Sequence, residues 1–311
     1  MANMIATRDA YGEALKELGE INKDIVVLDA DLSGSTKTAV FKKAFPERFF
    51  NVGIAEQNLM ATAAGLATTG KIPFASTFAI FATGRAYEII RNSVAYPKLN
   101  VKIAATHAGL TVGEDGATHQ ALEDISLMRS IPNMVVLCPA DAVETKKCVF
   151  KAAEHNGPVY IRLGRSKVPV ILDEDYEFEI GKSVQLRNGS DVTIIATGVM
   201  VAKALEACDK LAEENISARV INISTIKPID KDIIIKAAKE TKGIVTVEEH
   251  NIIGGLGSAV AEVLAENHPA HIVRIGTMDT FGESGDGNKL LDKYGLNAEN
   301  IVAKAKELLN K

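Results

Sequence analysis

Short runs of β-branched and apolar residues alternate along the chain with longer amphipathic or alanine-rich stretches. Continuous apolar strands that alternate with helices indicate a parallel sheet covered by helices on both faces. In the first half of the chain the pattern predicts strands at 25–31, 49–54, 72–77, 101–107, 134–140 and 159–164. It predicts helices between most of them, at 55–69, 79–95, 119–130 and 141–154.

The pattern lapses between residues 166 and 190, where an acidic run and the turn-forming pair Asn188-Gly189 replace the apolar runs. It resumes with predicted strands at 192–198, 218–224, 243–250 and 271–277 and a last helix at 297–309. We therefore predict two α/β domains, each with a mostly parallel sheet flanked by helices. Their predicted bounds are 1–168 and 191–311, with a linker at 169–190.

Length and charge narrow the class of protein. A chain of 311 residues has room for two domains of about 150 residues each. The 35 Lys and Arg residues are outnumbered by 40 Asp and Glu residues, which argues against a nucleic-acid-binding protein. No apolar run approaches the roughly 20 residues that span a bilayer, and the first residues have no apolar signal segment. We expect a cytoplasmic protein with no membrane or nucleic-acid partner.

Ligands of open parallel sheets bind where the carboxyl ends of the strands meet. The loops that follow the predicted strands of the first half carry more ionisable and aromatic groups than those of the second half. They span 29–38, 52–58, 76–85, 106–120 and 162–167. We therefore place the chemistry in the first domain. The three cysteines lie far apart without the spacing of a zinc site or a disulfide framework.

Glu56 lies at the predicted turn from a strand into a helix rich in small residues. Small residues such as Ala61 and Gly65 let another helix approach closely, which would bury the carboxyl group at an interface. The alternative is a glutamate that only favours the positive end of the helix dipole.

The loop 106–120 combines His107, Asp115 and His119 with three glycines. The glycines permit backbone turns that other residues avoid, so the three polar side chains could approach one ligand. The two histidines are too far apart in sequence for the usual short spacing of zinc ligands. A polar site and a tight structural turn both remain open from the residues alone.

Four segments together resemble the transketolase family of thiamine diphosphate enzymes: GIAEQN (53–58), STFAIF (76–81), GEDGATHQ (113–120) and EEHNIIGGLGSAVAEVL (248–264). The resemblance runs nearly end to end. It is to the C-terminal half of those enzymes, a pyrimidine-binding domain followed by the transketolase C-terminal domain.

The resemblance implies that this chain binds the pyrimidine side of thiamine diphosphate. Glu56 matches the glutamate that hydrogen-bonds N1′ of the aminopyrimidine ring, and Phe78 and Phe81 match aromatic residues that stack on that ring. Asp31 matches a position close to the cofactor. The family often has another aromatic residue where this chain has Gly84, so the pocket wall there is expected to differ.

The resemblance also implies a substrate site. His107, Asp115 and His119 match residues that contact the hydroxyl and carbonyl oxygens of a sugar. We expect the two histidines to act with Glu56 as catalytic residues, because imidazoles exchange protons with oxygens that change charge. The family's substrate-phosphate site matches Arg8, Ser35 and Arg165.

In the family a GDG motif, with an asparagine some tens of residues later, holds a divalent metal on the cofactor's diphosphate. That site belongs to the family's N-terminal domain, which this sequence does not contain. The GDG at 285–287 lies in the second predicted domain and is interpreted as a loop before a helix. The resemblance thus implies no metal site in this chain and a separate N-terminal subunit that holds Mg²⁺ or a similar ion. It implies an α2β2 heterotetramer in which this chain also pairs with a copy of itself.

The expected activity is that of a transketolase, which moves a two-carbon ketol unit between phosphorylated ketose and aldose sugars in the pentose phosphate pathway, active only with the N-terminal subunit. Deoxyxylulose phosphate synthase and the beta subunit of 2-oxo-acid dehydrogenases share the architecture. His107 with Glu114, and the pair of Arg8 and Ser35, favour transketolase over both. A non-catalytic partner-binding chain remains the alternative from a different class, and Gly84 leaves room for it.

Overall fold

The computed structural model of the chain describes residues 3–310. Its strands are β1 Met4–Ala6, β2 Ile25–Asp29, β3 Phe49–Asn51, β4 Ile72–Phe78, β5 Lys102–Thr106, β6 Val135–Leu137, β7 Val159–Arg162, β8 Lys167–Pro169, β9 Val184–Arg187, β10 Val192–Ala196, β11 Ala218–Asn222, β12 Thr225–Lys227, β13 Ile244–Asn251 and β14 Ile272–Thr277. Its α-helices are α1 Thr7–Ile21, α2 Ser33–Thr36, α3 Ala39–Ala44, α4 Glu56–Thr68, α5 Tyr87–Ile89, α6 Asp124–Ser130, α7 Ala142–Glu154, α8 Met200–Glu213, α9 Lys231–Glu240, α10 Leu256–Asn267, α11 Gly287–Lys293 and α12 Ala298–Leu309.

Two sheets form the framework, and both are rich in parallel pairs. The first has seven strands in the order β12-β6-β7-β5-β4-β2-β3, all parallel except β12, which pairs with β6 in the antiparallel sense. The second has five strands in the order β14-β13-β10-β11-β9, with β9 antiparallel at its edge. The predicted α/β class with helix-flanked, mostly parallel sheets is confirmed.

Helices cover both faces of the first sheet, because its strands are apolar on both sides. On one face α1 and α7 pack together, and Tyr11, Leu15 and Phe74 lie buried in the core between helix and sheet. On the other face α4 places Leu59 and Met60 against a second buried cluster. This layering leaves the carboxyl ends of the strands as the accessible edge.

Two predicted helices differ from the structure. The segment predicted as one helix at 79–95 is interrupted by two π-helical stretches, Phe81–Arg85 and Ile90–Ala95, with the short α5 between them. The helix predicted at 119–130 begins only at Asp124, because residues 110–122 form a 3₁₀ turn and further turns.

The sequence pattern did not predict three short strand pairings. Strand β1 pairs with β8 in a separate two-stranded antiparallel sheet. Strand β9 lies within the segment predicted as a linker and pairs with β11. Strand β12, from the second half of the chain, adds the last strand to the first sheet.

The longest helix in the described part of the chain, α1, has 15 residues. No helix within residues 3–310 combines the length and the apolar character that crossing a bilayer requires.

Candidate active site

The carboxyl ends of five parallel strands bring most of the predicted site residues to one edge of the first sheet. Strands β2, β3, β4, β5 and β7 lie in this sheet, and their ends face the same way. The residues that end or follow these strands are Asp31 and Ser35 (β2), Glu56 (β3), Phe78 and Phe81 (β4), His107 (β5) and Arg165 (β7). These residues thus lie at the carboxyl ends of the strands, as the parallel topology predicts.

Glu56 is the first residue of α4, and it is only 5% exposed. Arg85 donates from Nη1 to Glu56 Oε1 over 3.1 Å. No hydrogen bond to Glu56 Oε2 occurs among residues 3–310. The carboxyl group therefore has one oxygen fixed by a cation and the other free to take a hydrogen bond from a ligand.

Aromatic rings line the space next to this carboxyl group. Phe78 and Phe81 are stacked, with their centroids 5.8 Å apart and an interplanar angle of 15°. His107 stacks on Phe78 at 3.8 Å, and the edge of His119 meets Phe81 at 5.4 Å. Arg85 lies over the Phe81 ring, 4.3 Å from its centroid, which joins the aromatic group to Glu56.

His107 is held in a strained and nearly buried position. Its φ is +58°, in a region that non-glycine residues rarely adopt, and it is 3% exposed. Burial, together with the Arg8 and Arg165 cations, lowers its pKa to about 3. Arg8 Nη1 can only donate, so Nε2, 3.2 Å away, is the accepting nitrogen. The neutral ring consequently carries its proton on Nδ1, which donates to Thr106 Oγ1 over 2.8 Å.

Arg8 and Arg165 line a common pocket of about 220 Å³ beside His107. Burial lowers the pKa of Arg8, the Asp9 carboxylate opposes that change, and the neighbouring Arg165 cation adds to it. Arg165 donates to the Val112 carbonyl oxygen and, over 2.9 Å, to Glu114 Oε2. Two guanidinium groups that line one cavity can bind an anion. The Glu114 and Asp286 carboxyl groups line the same cavity, so an anion would compete with them.

Ser35 meets Arg8 through its backbone. Arg8 Nη1 donates to the Ser35 carbonyl oxygen over 3.0 Å, whereas the resemblance pointed to the residue as part of a phosphate site. Ser35 is positioned by Asp29, which sequence reasoning did not single out. The buried Asp29 carboxylate accepts from Thr36 Oγ1 at 2.7 Å and from Thr38 Oγ1 at 2.8 Å, and so fixes the turn around α2.

Asp31 and Asp115 are the two predicted residues that the contacts do not join to the group. Asp31 has φ +65° and accepts from Asn51 Nδ2 over 2.8 Å, at the start of the loop that leads to Glu56. Asp115 is exposed at the tip of the 106–120 loop, and its side chain has no hydrogen bond or ion pair within residues 3–310. It is therefore free to turn toward a ligand.

Arg85 is the functional neighbour that the sequence did not reveal. It lies in the π-helical stretch one residue after Gly84, and its guanidinium group contacts both Glu56 and Phe81. No motif marks it. A basic residue four positions after Phe81 on a helix is the one signal that could have suggested the contact.

The donor set fits a flat, hydrogen-bonding heterocycle. A buried carboxyl group with one unoccupied oxygen lies beside stacked aromatic rings, which is the chemistry that an aminopyrimidine needs. A Cβ at Gly84 would meet no atom within 4 Å, so this exposed position faces open space. Among residues 3–310 no three His, Cys, Asp or Glu side chains are grouped as metal ligands.

Comparison with known protein families assigns both halves of the chain. Residues 3–170 match the model of the transketolase pyrimidine-binding domain, and residues 181–301 match that of the transketolase C-terminal domain. The fold and the site together thus define an α/β protein with a pyrimidine-binding site of the thiamine diphosphate type. The chain belongs to the transketolase family.

Similar proteins support the assignment over the full chain. A putative transketolase C-terminal section from Methanocaldococcus jannaschii is 57% identical, with 98% of this chain and 96% of that protein covered. The 6-deoxy-6-sulfo-D-fructose transketolase subunit SqwH of a Clostridium species is 44% identical, with 97% and 94% covered. A solved structure described as a split gene transketolase, inactive β4 tetramer, is 61% identical with a TM-score of 0.93, and covers 98% of this chain and 99% of that one.

Proposed function

We propose that this chain is the C-terminal subunit of a two-chain transketolase that moves a ketol unit between phosphorylated sugars of the pentose phosphate pathway. The proposal rests above all on one observation. Glu56, with an unoccupied oxygen, lies beside the stacked Phe78 and Phe81 rings, and Arg8 and Arg165 converge next to the same stack. This arrangement serves a cofactor ring on one side and an anionic substrate on the other.

Glu56, Phe78 and Phe81 are the proposed residues for the pyrimidine ring of thiamine diphosphate, with Asp31 nearby. When bound, thiamine diphosphate supplies a thiazolium carbon that can become a stabilised carbanion. Glu56 Oε2 would share a proton with a ring nitrogen, in a position that α4 and Arg85 fix. The two phenylalanine rings orient the heterocycle and exclude water from the carboxyl group.

His107, His119 and Asp115 are the proposed contacts to the sugar. His107 is neutral, and its Nε2 already accepts from Arg8, so an oxygen that binds there would compete with or share that donor. His119 lies edge-on to Phe81, at the open end of the stack. Asp115 is exposed at the loop tip and can accept from a hydroxyl group.

Arg8 and Arg165, with the Ser35 segment, are the proposed site for the substrate's terminal phosphate. Arg165, which is paired with Glu114 in the free chain, would exchange that carboxylate for the dianion. A close relative is named for a sulfonated sugar. A phosphate and a sulfonate are both tetrahedral anions, so the two arginines suit either, and the preferred sugar is decided by assay.

The proposed partner is an N-terminal subunit that holds the diphosphate through Mg²⁺ or a similar ion, in an α2β2 assembly located in the cytoplasm. Two relatives are named as a C-terminal section and as a subunit. In this chain the face of α4 that carries Gln57, Asn58, Ala61 and Gly65 is exposed. Small and polar side chains suit the close approach of another helix, which supports self-association; the 61% identical structure is a tetramer of one chain, described as inactive.

The proposed domain division is a pyrimidine-binding domain at 1–168, a linker at 169–190 and a C-terminal domain at 191–311. The family matches at 3–170 and 181–301 support this division. Strand β9, at Val184–Arg187, pairs with the second sheet, so the linker would include an edge strand of the C-terminal domain.

The test reconstitutes the enzyme. The chain is mixed with the N-terminal transketolase subunit of the same organism, thiamine diphosphate and Mg²⁺, and ketol transfer from xylulose 5-phosphate to ribose 5-phosphate is measured. We expect transfer with both chains and none with either chain alone. Activity on pyruvate would instead indicate one of the two related enzyme classes. No activity with any donor would indicate a non-catalytic partner-binding chain.

A further inference from the structure

The loop that carries His107, Asp115 and His119 is in contact with a buried side chain from the second half of the chain. Glu249, near the end of β13, extends its carboxylate into the base of this loop, where Oε1 accepts from the Thr111 backbone N–H over 2.6 Å. Glu249 is 2% exposed. Its own backbone carbonyl accepts from Arg162 Nη2 over 2.8 Å, so the strand that bears it is fixed to the first sheet.

The fit between Glu249 and the loop is tight. A Cβ built on Gly109 would lie 2.3 Å from the Glu249 carboxyl carbon, and Gly109 has φ +83°. The carboxylate therefore occupies the space that any other residue at 109 would need. Burial raises the pKa of Glu249, and the Arg162 guanidinium opposes that rise. A buried ionisable group is costly, so its contact with the loop has to offset a desolvation penalty.

The segment that Glu249 contacts, Gly109–Thr111, begins two residues after His107. His107 holds φ +58° and is stacked on Phe78, a backbone conformation that persists only where the surrounding structure enforces it. On its amino-terminal side β5 fixes the chain. On its carboxyl-terminal side the Ala108 and Gly109 N–H groups donate to the carbonyl oxygens of Leu163 and Ala121, and the Thr111 N–H donates to Glu249.

We propose that Glu249 is a positioning residue that holds the His107 ring in register with Phe78 and Arg8 through the Gly109–Thr111 turn. The inference rests on the proposed function for its effect on turnover. It gives the C-terminal half a direct part in the geometry of the active site. A shift of about 1 Å in a reacting group can cost on the order of 100-fold in rate, so a slack turn at residue 109 would be felt in catalysis.

The experiment compares E249D with E249Q in the two-chain complex. E249D withdraws the carboxylate by about 1.5 Å, one carbon–carbon bond, and loses the hydrogen bond. E249Q keeps an acceptor at Oε1. We expect kcat to fall at least 10-fold in E249D with the cofactor Kd changed less than threefold, and E249Q to stay within threefold of wild type in both.

A second readout uses the chain alone, so that it does not depend on activity. The ring-proton NMR signal of His107, identified by its loss in H107N, carries the ring-current shift from Phe78. We expect this signal to move toward that of an unstacked histidine in E249D and to keep its position in E249Q. If the wild-type complex shows no ketol transfer, the proposed function fails, whereas the NMR comparison still decides the role of Glu249.

Glu248 supplies the matched control. It is the adjacent buried glutamate, but it accepts from the backbone of Leu256 and Gly257 at the start of α10 and does not touch the loop. E248D should lower the melting temperature and leave kcat and the His107 signal unchanged. If E249D does not fold, T111P removes the donor from the other side of the same hydrogen bond and should show the same losses. Wild-type kcat and His107 signal in a folded E249D or T111P, or equal losses in E248D, would overturn the proposal.

Discussion

Arg8, near the start of α1, donates a hydrogen bond to His107 Nε2 across 99 residues of sequence. This contact connects the two-arginine pocket to the aromatic stack, because the same imidazole ring lies 3.8 Å from the Phe78 centroid. A ligand anion that draws on Arg8 would therefore change the hydrogen bonding of His107. In the proposed function, anion binding would thus be coupled through a single ring nitrogen to the end of the site proposed for the sugar.

The buried, neutral state of His107 predicts a pH dependence of stability. Its pKa falls from an ordinary 6.5 to about 3 on folding, so between these values the unfolded chain binds more protons. The free energy of unfolding should therefore decrease as the pH falls from about 6 toward 4, by up to about 1.4 kcal/mol per pH unit from this group. Urea titrations of wild type and H107N across this range measure the difference. The exposed His271→Asn exchange controls for loss of an imidazole, and identical slopes for wild type and H107N would contradict the assignment.

Glu56→Gln should abolish cofactor activation without loss of assembly. The amide keeps the shape and the contact with Arg85 but cannot share a proton with a ring nitrogen in the same way, so we expect kcat to fall at least 100-fold. Steady-state kinetics of the complex and its size by light scattering measure the two properties. Glu47→Gln, at an exposed carboxylate that pairs with Arg48, is the control and should retain wild-type turnover. Turnover within threefold of wild type in Glu56→Gln would remove this carboxyl group from the chemistry.

Arg165→Ala should weaken binding of phosphorylated sugars selectively. A hydrogen bond to a charged group contributes about 1.5–3 kcal/mol, which corresponds to a rise in KM of roughly 10- to 150-fold. The same variant should change the KM of a non-phosphorylated ketose less than threefold. Arg187→Ala, at an exposed position of the edge strand β9, is the matched control. An equal rise in KM for both kinds of sugar would indicate that Arg165 stabilises the loop and does not bind the phosphate.

Gly84→Ala should stabilise the chain. Gly84 is exposed, lies in a helical stretch, and has open space where a Cβ would be. Replacing glycine by alanine there reduces the entropy of the unfolded chain, with an expected gain of about 0.5–1 kcal/mol. Gly109→Ala is the opposite case, because its φ is +83° and its Cβ would meet the Glu249 carboxyl carbon at 2.3 Å. Thermal unfolding of both variants measures the two changes in stability. A loss of stability in Gly84→Ala would contradict the open space at this position.

Much of the first sheet could be predicted because its strands are buried on both faces and therefore appear as continuous apolar runs. Strands β2, β4 and β7 begin at the predicted residues and end within two residues of the predicted ends. Strands such as Thr225–Lys227 have no such signature, since three residues at a sheet edge gain their stability from the partner strand. Local pattern does not contain that information.

In the candidate site, too, some residues could be predicted from the sequence and others could not. The residues that motifs name lie in loops close to their strands, so their common location follows from parallel topology. Arg85, Asp29 and Glu249 act through contacts with residues 29, 7 and 138 positions away, and only the packed fold displays most of these pairings. The two consecutive acids at 248–249 within an apolar strand were a usable signal, because ionisable groups in a buried strand need partners.

The addition of β12, from the second half of the chain, to the first sheet has a consequence for producing the two halves separately. Without Thr225–Lys227, the backbone of Val135–Leu137 would present unpaired N–H and C=O groups along the rim of an otherwise apolar sheet. Exposed rims of that kind recruit other chains and promote aggregation. Residues 3–170 produced in isolation would therefore tend to precipitate, and a well-behaved fragment would need the distant tripeptide grafted back onto its outer strand.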